Sequence, residues 1–513
     1  MNGADAVLQT LADNGVRACF ANPGTSEMQF VAALDREPRI RPVLCLFEGV
    51  VSGAADGYGR MAGNPAVTLF HLGPGYGNGI ANSHNARRAF TPIVNVIGDH
   101  ATYHQKNDAP LGSDIQGLAK VNSRWVKSAK SADDAADLAA EAVQASFGPP
   151  GGSASLILPA DCAWSPASRL GGVLTRPSRM SVSGDVVDAA AKAVRDAKKP
   201  VVLMGSSACR EAGLEAAGRI AASGVRMIAD TFIARQPRGA GRFSPDKMQY
   251  FGEAALKDLE GVDLMLLAGT KEPVAFFAYP DAPTVLVPDG CRQLTLAEPH
   301  EDAEGALAAL ADALGAPSAA APNALNLPDA PSGPVDARSV GASIGRHMPD
   351  EAIISDDSVT SGMGTVMQTR DARRHDWLGL TGGAIGQGIP AAVGAAVACP
   401  NRKVLSLNGD GAAAYTAQGL WTIARESLDV CVVIFANHVY RILSVEYMRT
   451  GSGDPGPAAA SLLDLGNPRM DWVSIAKGFG LTAERCETAE RFDAVFESAM
   501  ANKGPMLIEA ALA

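Results

Sequence analysis

Short apolar, β-branched runs recur along the chain, and Ala-rich stretches of helical periodicity separate them. In the first third the runs are 41–47, 66–71 and 92–98. The middle third has 200–205, 263–269 and 284–287, and the last has 352–355, 404–408, 430–437 and 506–511. Continuous apolar strands separated by helices predict parallel sheets covered on both faces. Two low-charge stretches containing Pro, Gly and Ser, 165–184 and 317–334, hold neither periodicity and are predicted to be extended connectors. They divide the chain into three doubly wound α/β domains, 1–165, 185–316 and 335–513. Ligands in such sheets sit beyond the carboxyl ends of the strands, so the residues after each strand carry the candidate chemistry.

A length of 513 residues suits about three domains, and 47% hydrophobic with 19% charged residues excludes a disordered chain. With 44 Lys+Arg against 55 Asp+Glu the net charge is −11, which gives no basic footprint for nucleic acid and points to a small substrate. The eight cysteines form no C-x-x-C pair, so neither a zinc site nor a disulfide scaffold is expected. The opening residues lack the basic-then-apolar order of a signal peptide, and no uncharged apolar run approaches membrane-spanning length. A cytoplasmic protein without a membrane partner is the expectation.

The stretch 404–437 is the most specific. A strand ends in Gly409-Asp410-Gly411, a helical segment follows, and after 25 residues a second apolar strand ends in Asn437. That length fits a helix and a return strand, which would bring Asp410 and Asn437 to the carboxyl ends of neighbouring parallel strands. Their hard oxygen atoms suit Mg²⁺, and the glycines let backbone N–H groups approach a phosphate. Taken alone, a Gly-Asp-Gly turn and an Asn cap are common loop chemistry.

A second stretch begins where strand 43–47 meets Glu48, followed by Ala54-Ala55-Asp56-Gly57-Tyr58 and Arg60. A carboxylate in a first helical turn is favourable without any further role.

Together these stretches carry a family resemblance. The first resembles the thiamine diphosphate binding motif, with Ala436 in place of the first member of the usual Asn doublet. The second resembles the pyrimidine-binding domain of the same enzymes. Asn22 to Glu27, His71 with Gly73 to Gly79, and Leu156 to Asp161 resemble the N-terminal domain shared by acetolactate synthases and benzoylformate decarboxylases. Ala476 to Gly480 and Lys503 to Glu509 resemble their cofactor domain. The first and third domains are covered well and the middle one loosely.

The resemblance implies an enzyme dependent on thiamine diphosphate and Mg²⁺ that decarboxylates a 2-oxo acid and releases an aldehyde. The alternative is an acetolactate-synthase-like carboligase, which passes the decarboxylated unit to a second carbonyl compound. Glu48 is then catalytic: its carboxyl bonds the aminopyrimidine ring and so activates the thiazolium carbon. Phe47, Val50 and Val51 supply the apolar pocket this needs. The cofactor-binding set becomes Glu48, Ile385, Gly409, Asp410, Gly411, Ala412, Asn437 and Tyr440, with Ile385 as the wedge that bends the cofactor. The metal ligands become Asp410, Asn437 and the backbone carbonyl of Val439.

His71 aligns with an active-site histidine of benzoylformate decarboxylase, and Thr25 with a serine that contacts substrate. The decarboxylase's second histidine falls near Ala278, so His100 or His104 is expected to replace it. A homodimer or homotetramer with its active site at the subunit interface is implied. FAD is compatible with the middle domain, where Met204-Gly205-Ser206-Ser207 offers the one glycine turn, but is not predicted. A nicotinamide enzyme is the rival, since Gly73 to Gly79 is followed 20 residues later by Asp99. It leaves Glu48, Asp410 and Asn437 unexplained.

Overall fold

A computed structural model describes residues 1–320 and 322–512. The first sheet contains Ala18–Asn22 (β1), Arg41–Leu44 (β2), Ala66–Phe70 (β3), Ile93–Asp99 (β4), Ser123–Ser128 (β5) and Ser153–Pro159 (β6). Its order is β2-β1-β3-β4-β6-β5 and every pairing is parallel. β3, β4 and β6 are almost wholly buried, as expected of strands with helices on both faces.

The next strands are Pro200–Met204 (β7), Arg226–Ala229 (β8), Gln236–Arg238 (β9), Asp246–Lys247 (β10), Leu264–Ala268 (β11) and Arg292–Ala297 (β12). All but β9 form the second sheet, in the order β10-β8-β7-β11-β12. The third sheet adds Ala352–Asp357 (β13), His375–Leu378 (β14), Val404–Gly409 (β15), Val430–Ala436 (β16), Thr482–Cys486 (β17) and Met506–Ala511 (β18), in the order β17-β18-β16-β15-β13-β14-β9. β9 lies antiparallel on β14, so one short strand from the middle third closes the edge of the last sheet. The fold is therefore α/β with three sheets of parallel strands.

The run 284–287 does not form the strand expected of it. It makes a single bridge, Val274 to Val285, and the edge position is taken by β12. Pro283 and Pro288 flank the run and contribute no N–H to a ladder.

The first and third sheets share one apolar core, which includes Val50, Val51, Ala54, Ile389, Val393 and Leu420. Its centre is the crossing of the helices Glu48–Ala62 and Gly388–Ala398. A Cβ on Gly57 would stand 2.0 Å from the Ala391 carbonyl oxygen, and one on Gly394 would stand 1.8 Å from that of Ala54. Glycine at both positions lets the two backbones touch. Beside the crossing, buried Arg60 pairs with Asp56 at 2.6 Å and donates to the carbonyls of Ala234 and Gly379, tying all three parts of the chain together.

Candidate active site

The carboxyl edge of the first sheet gathers the residues that follow β1, β2, β3 and β4. Glu48 opens the helix Glu48–Ala62 and is 7% exposed, with Oε2 accepting from Asn78 Nδ2 at 3.0 Å. His71 caps the helix Leu72–Arg88 directly after β3. Its Nδ1 lies 2.9 Å from Glu27 Oε2, which also accepts the Gly24 N–H at 2.9 Å. The ring packs on Gly24, where a Cβ would come within 2.2 Å of it. His71 Nδ1 acts as the donor to the carboxylate, which leaves Nε2 without a hydrogen-bond partner among the described residues.

Glu27 is the residue that sequence reasoning passed over. It is buried, and its second oxygen has no partner and points at Gly98, where a Cβ would stand 1.8 Å away. Asn22 to Glu27 marked a family stretch, but only the fold shows that its glutamate turns inward to His71. Thr25 is exposed, and Ser26 rather than Thr25 brings a hydroxyl near the imidazole, 3.5 Å from Nδ1.

His100 follows β4 and is half-buried. Its ring packs edge-on against exposed His104 at 5.4 Å, and its Nε2 is buried without a partner. Asp99 accepts from the His100 N–H and from Gln105 Nε2, while burial raises its carboxyl above the usual range. Gly73 to Gly79 lie inside the helix Leu72–Arg88, not in a loop between strand and helix. The phosphate-binding turn that a dinucleotide site needs is therefore missing there.

The carboxyl edge of the third sheet holds the second cluster. Gly409 pairs with Phe435 across β15 and β16, so Asp410 and Asn437 leave neighbouring parallel strands at the same end. Asp410 is 2% exposed; its oxygens accept the Gly411 N–H at 2.8 Å and the His438 N–H at 2.7 Å. Burial raises its carboxyl above the usual range, and it makes no ion pair with Lys or Arg among the described residues. Asn437 Oδ1 accepts the Val439 N–H at 3.1 Å, and the Val439 carbonyl accepts the Arg441 N–H. His438 carries the turn at φ +56°.

Ala412 is buried beside Asp410. The ring of Tyr440 lies where a Cβ on Gly411 would stand, at 2.4 Å, whereas a Cβ on Gly409 would meet only the Ser358 carbonyl oxygen, at 4.0 Å. A buried carboxylate that pairs with no Lys or Arg among the described residues, a side-chain amide oxygen and a carbonyl form a hard-oxygen donor set, which fits Mg²⁺. No cluster of three or more His, Cys, Asp or Glu suited to a metal occurs among the described residues, so any such ion must take amide or carbonyl oxygens.

Ile385 is half-buried in the irregular segment before the helix Gly388–Ala398. No hydrogen bond or ion pair joins Glu48 to Asp410 within the chain among the described residues.

Glu48 and Asp410 are buried acidic helix starts at the carboxyl edges of two different sheets, and the chain belongs to the thiamine pyrophosphate enzyme family. Residues 1–120 match the N-terminal TPP binding domain of these enzymes and residues 360–510 the C-terminal one. The chain is 50% identical to a Mycobacterium tuberculosis protein named "Putative acetolactate synthase large subunit IlvX", over 99% of this chain and 98% of that one. It is 27% identical to benzoylformate decarboxylase of Pseudomonas aeruginosa, over 98% and 97% of the two chains. Its fold matches the Rhodococcus jostii thiamine diphosphate-dependent 4-hydroxybenzoylformate decarboxylase with a TM-score of 0.87 at 24% identity, covering 100% of this chain and 99% of the other. No helix among the described residues is long and apolar enough to cross a membrane.

Proposed function

We propose that this enzyme decarboxylates a 2-oxo acid and releases the aldehyde, using thiamine diphosphate held with Mg²⁺. The observation that carries the reading is the pair of buried carboxyl groups, Glu48 and Asp410, each the first residue of a helix at the carboxyl edge of its own parallel sheet. Asp410, Asn437 and the Val439 carbonyl would hold the metal, while Gly409, Gly411, Ala412 and Tyr440 would border the diphosphate. The cofactor supplies a nucleophilic carbon and a sink for the electron pair left when CO₂ departs. Glu48 would bond the pyrimidine ring, and Ile385 would pack against the cofactor. His71 would present Nε2 to the substrate and hold or move a proton at its 2-oxo oxygen. Glu27 keeps Nδ1 protonated and the ring in place, as a carboxylate does for a catalytic imidazole.

No hydrogen bond or ion pair joins Glu48 to Asp410 within the chain among the described residues, which supports a site built between two subunits of a homodimer or homotetramer. Exposed apolar side chains on the third domain, including Met363 (67%), Met367 (75%) and Leu462 (79%), suit a partner surface. The free cysteines suit a reducing cytoplasm.

A second reading, transfer to an acceptor carbonyl compound, is favoured by the 50% identity to a protein named for acetolactate synthase. The test is product analysis after incubation with a 2-oxo acid, thiamine diphosphate and Mg²⁺. Aldehyde alone marks a decarboxylase, a hydroxyketone or acetolactate marks the second reading, and an unconsumed substrate contradicts both.

A further inference from the structure

Ile385 makes no backbone hydrogen bond of its own among the described residues, and it lies between two glycines in the left-handed region, Gly383 at φ +75° and Gly386 at φ +94°. Its placement is therefore set by what grips its neighbours. On one side Asn85, from the helix Leu72–Arg88, takes both polar groups of Ala384, donating to its carbonyl at 2.7 Å and accepting its N–H at 3.2 Å. On the other side a single carboxylate oxygen, Oδ2 of Asp357, accepts three successive N–H groups: Gly386 at 2.7 Å, Gln387 at 2.9 Å and Gly388 at 3.1 Å. The Gly386 carbonyl is bonded in turn by Asn82 and Thr416.

Asp357 ends β13 and is 1% exposed. Its other oxygen, Oδ1, is buried without a partner, and so is Oδ1 of Asn408, the residue opposite it across β13 and β15. Both side chains face Gly388, where a Cβ would stand 2.2 Å from Asn408 Oδ1 and 2.8 Å from Asp357 Cβ. Two buried acceptors on paired residues, both without a partner, are costly. A proton on Asp357 Oδ1 donated to Asn408 would satisfy both and leave Oδ2 free to gather the amides. Burial agrees with this, since it lifts the Asp357 carboxyl to about 7. A cap for the helix Gly388–Ala398 would need only one or two of the amides; the third belongs to Gly386, next to Ile385.

We infer that Asp357 is a positioning residue for cofactor binding: by gathering the three amides after Ile385, it fixes where that side chain stands against the bound thiazolium ring. The inference rests on the proposed role of Ile385 and on the thiamine diphosphate reading. Asn is the conservative replacement, because its oxygen accepts the amides and its NH₂ donates to Asn408, as the protonated acid does.

The experiment uses the full chain, the variants Asp357→Asn and Asp357→Ala, and two ligands titrated with MgCl₂: thiamine diphosphate and inorganic diphosphate. Inorganic diphosphate has neither ring of thiamine diphosphate, so its binding reports whether the proposed Asp410 cluster survives the substitution. Asp357→Ala is expected to weaken thiamine diphosphate binding by about tenfold or more and to leave inorganic diphosphate binding unchanged. Hydrogen exchange of the Gly386, Gln387 and Gly388 amides in the unliganded protein is expected to accelerate in Asp357→Ala and stay near wild type in Asp357→Asn. Asp357→Asn should also keep its affinity for thiamine diphosphate within about threefold.

Equal weakening of both ligands, or wild-type exchange of the three amides in Asp357→Ala, overturns the inference. If Asp357→Ala fails to fold, Asp357→Asn decides: affinity for thiamine diphosphate lost without loss for inorganic diphosphate contradicts the proposed geometry. A wild-type protein that binds no thiamine diphosphate overturns the functional reading beneath it instead, which the same titration shows.

Discussion

Glu27 Oε2 and His71 Nδ1 face each other at 2.9 Å, with the carboxylate almost wholly buried and the imidazole partly open. The geometry makes Glu27 a positioning residue for His71. Glu27→Ala and His71→Ala are each expected to lower kcat by about 10- to 100-fold, and the double variant to be no slower than His71→Ala alone. Steady-state kinetics on the four proteins checks this; additive losses would show that the two residues act separately.

Glu48→Gln keeps the side-chain volume and the contact with Asn78 but removes the carboxyl. Thiamine diphosphate is expected to bind within a few-fold of wild type while turnover drops by about 10²-fold or more. Isothermal titration and single-turnover measurements separate the two quantities. Unchanged turnover would remove Glu48 from the chemistry.

Asp410→Ala takes the carboxylate from the third sheet's edge. Mg²⁺-dependent binding of thiamine diphosphate is expected to disappear, read as the loss of any affinity difference between MgCl₂ and EDTA. A retained difference would place the metal elsewhere.

Gly394→Ala puts a methyl group 1.8 Å from the Ala54 carbonyl at the crossing that joins first and third domains. The backbones must separate, at a cost of about 1–3 kcal/mol. A lowered Tm is the expected outcome, and an unchanged Tm would mean that the two helices do not touch as described.

His375 is buried beside Arg238 and Trp377, donates from Nδ1 to the Arg373 carbonyl, and has its pKa lowered to about 3 by burial first and the Arg238 charge second. An unfolded histidine takes up its proton near 6.5. Between pH 6.5 and 3 the unfolded state therefore binds one more proton than the folded one, and stability falls as pH falls through that window. His375→Asn should remove about 1.4 kcal/mol per pH unit from that slope. Chemical denaturation at pH 6.5, 5.5 and 4.5 for both proteins measures it.

The sequence carried what periodicity and motif spacing can carry. Buried strands such as β4, β15 and β16 were legible because their residues are mostly apolar, and Gly409-Asp410-Gly411 because strand, turn and return strand have a fixed length. β5, β12 and β17 are only partly buried and carry charged residues, and they gave no comparable signal. β9 pairs with a strand more than a hundred residues away, a contact no local pattern encodes. At the site, Glu48, His71, Asp410 and Asn437 could be read because each follows an apolar strand. Glu27 and Asp357 could not, since their partners, His71 and the amides after Ile385, are brought to them only by the sheets.

The most direct test of the account is a proton NMR time course of the protein with thiamine diphosphate, Mg²⁺, pyruvate and benzoylformate. The account predicts consumption of a 2-oxo acid with an aldehyde signal growing in step, absent in Glu48→Gln. Consumption without aldehyde but with a hydroxyketone or acetolactate would contradict the decarboxylase reading, and persistence of both acids would contradict the substrate class.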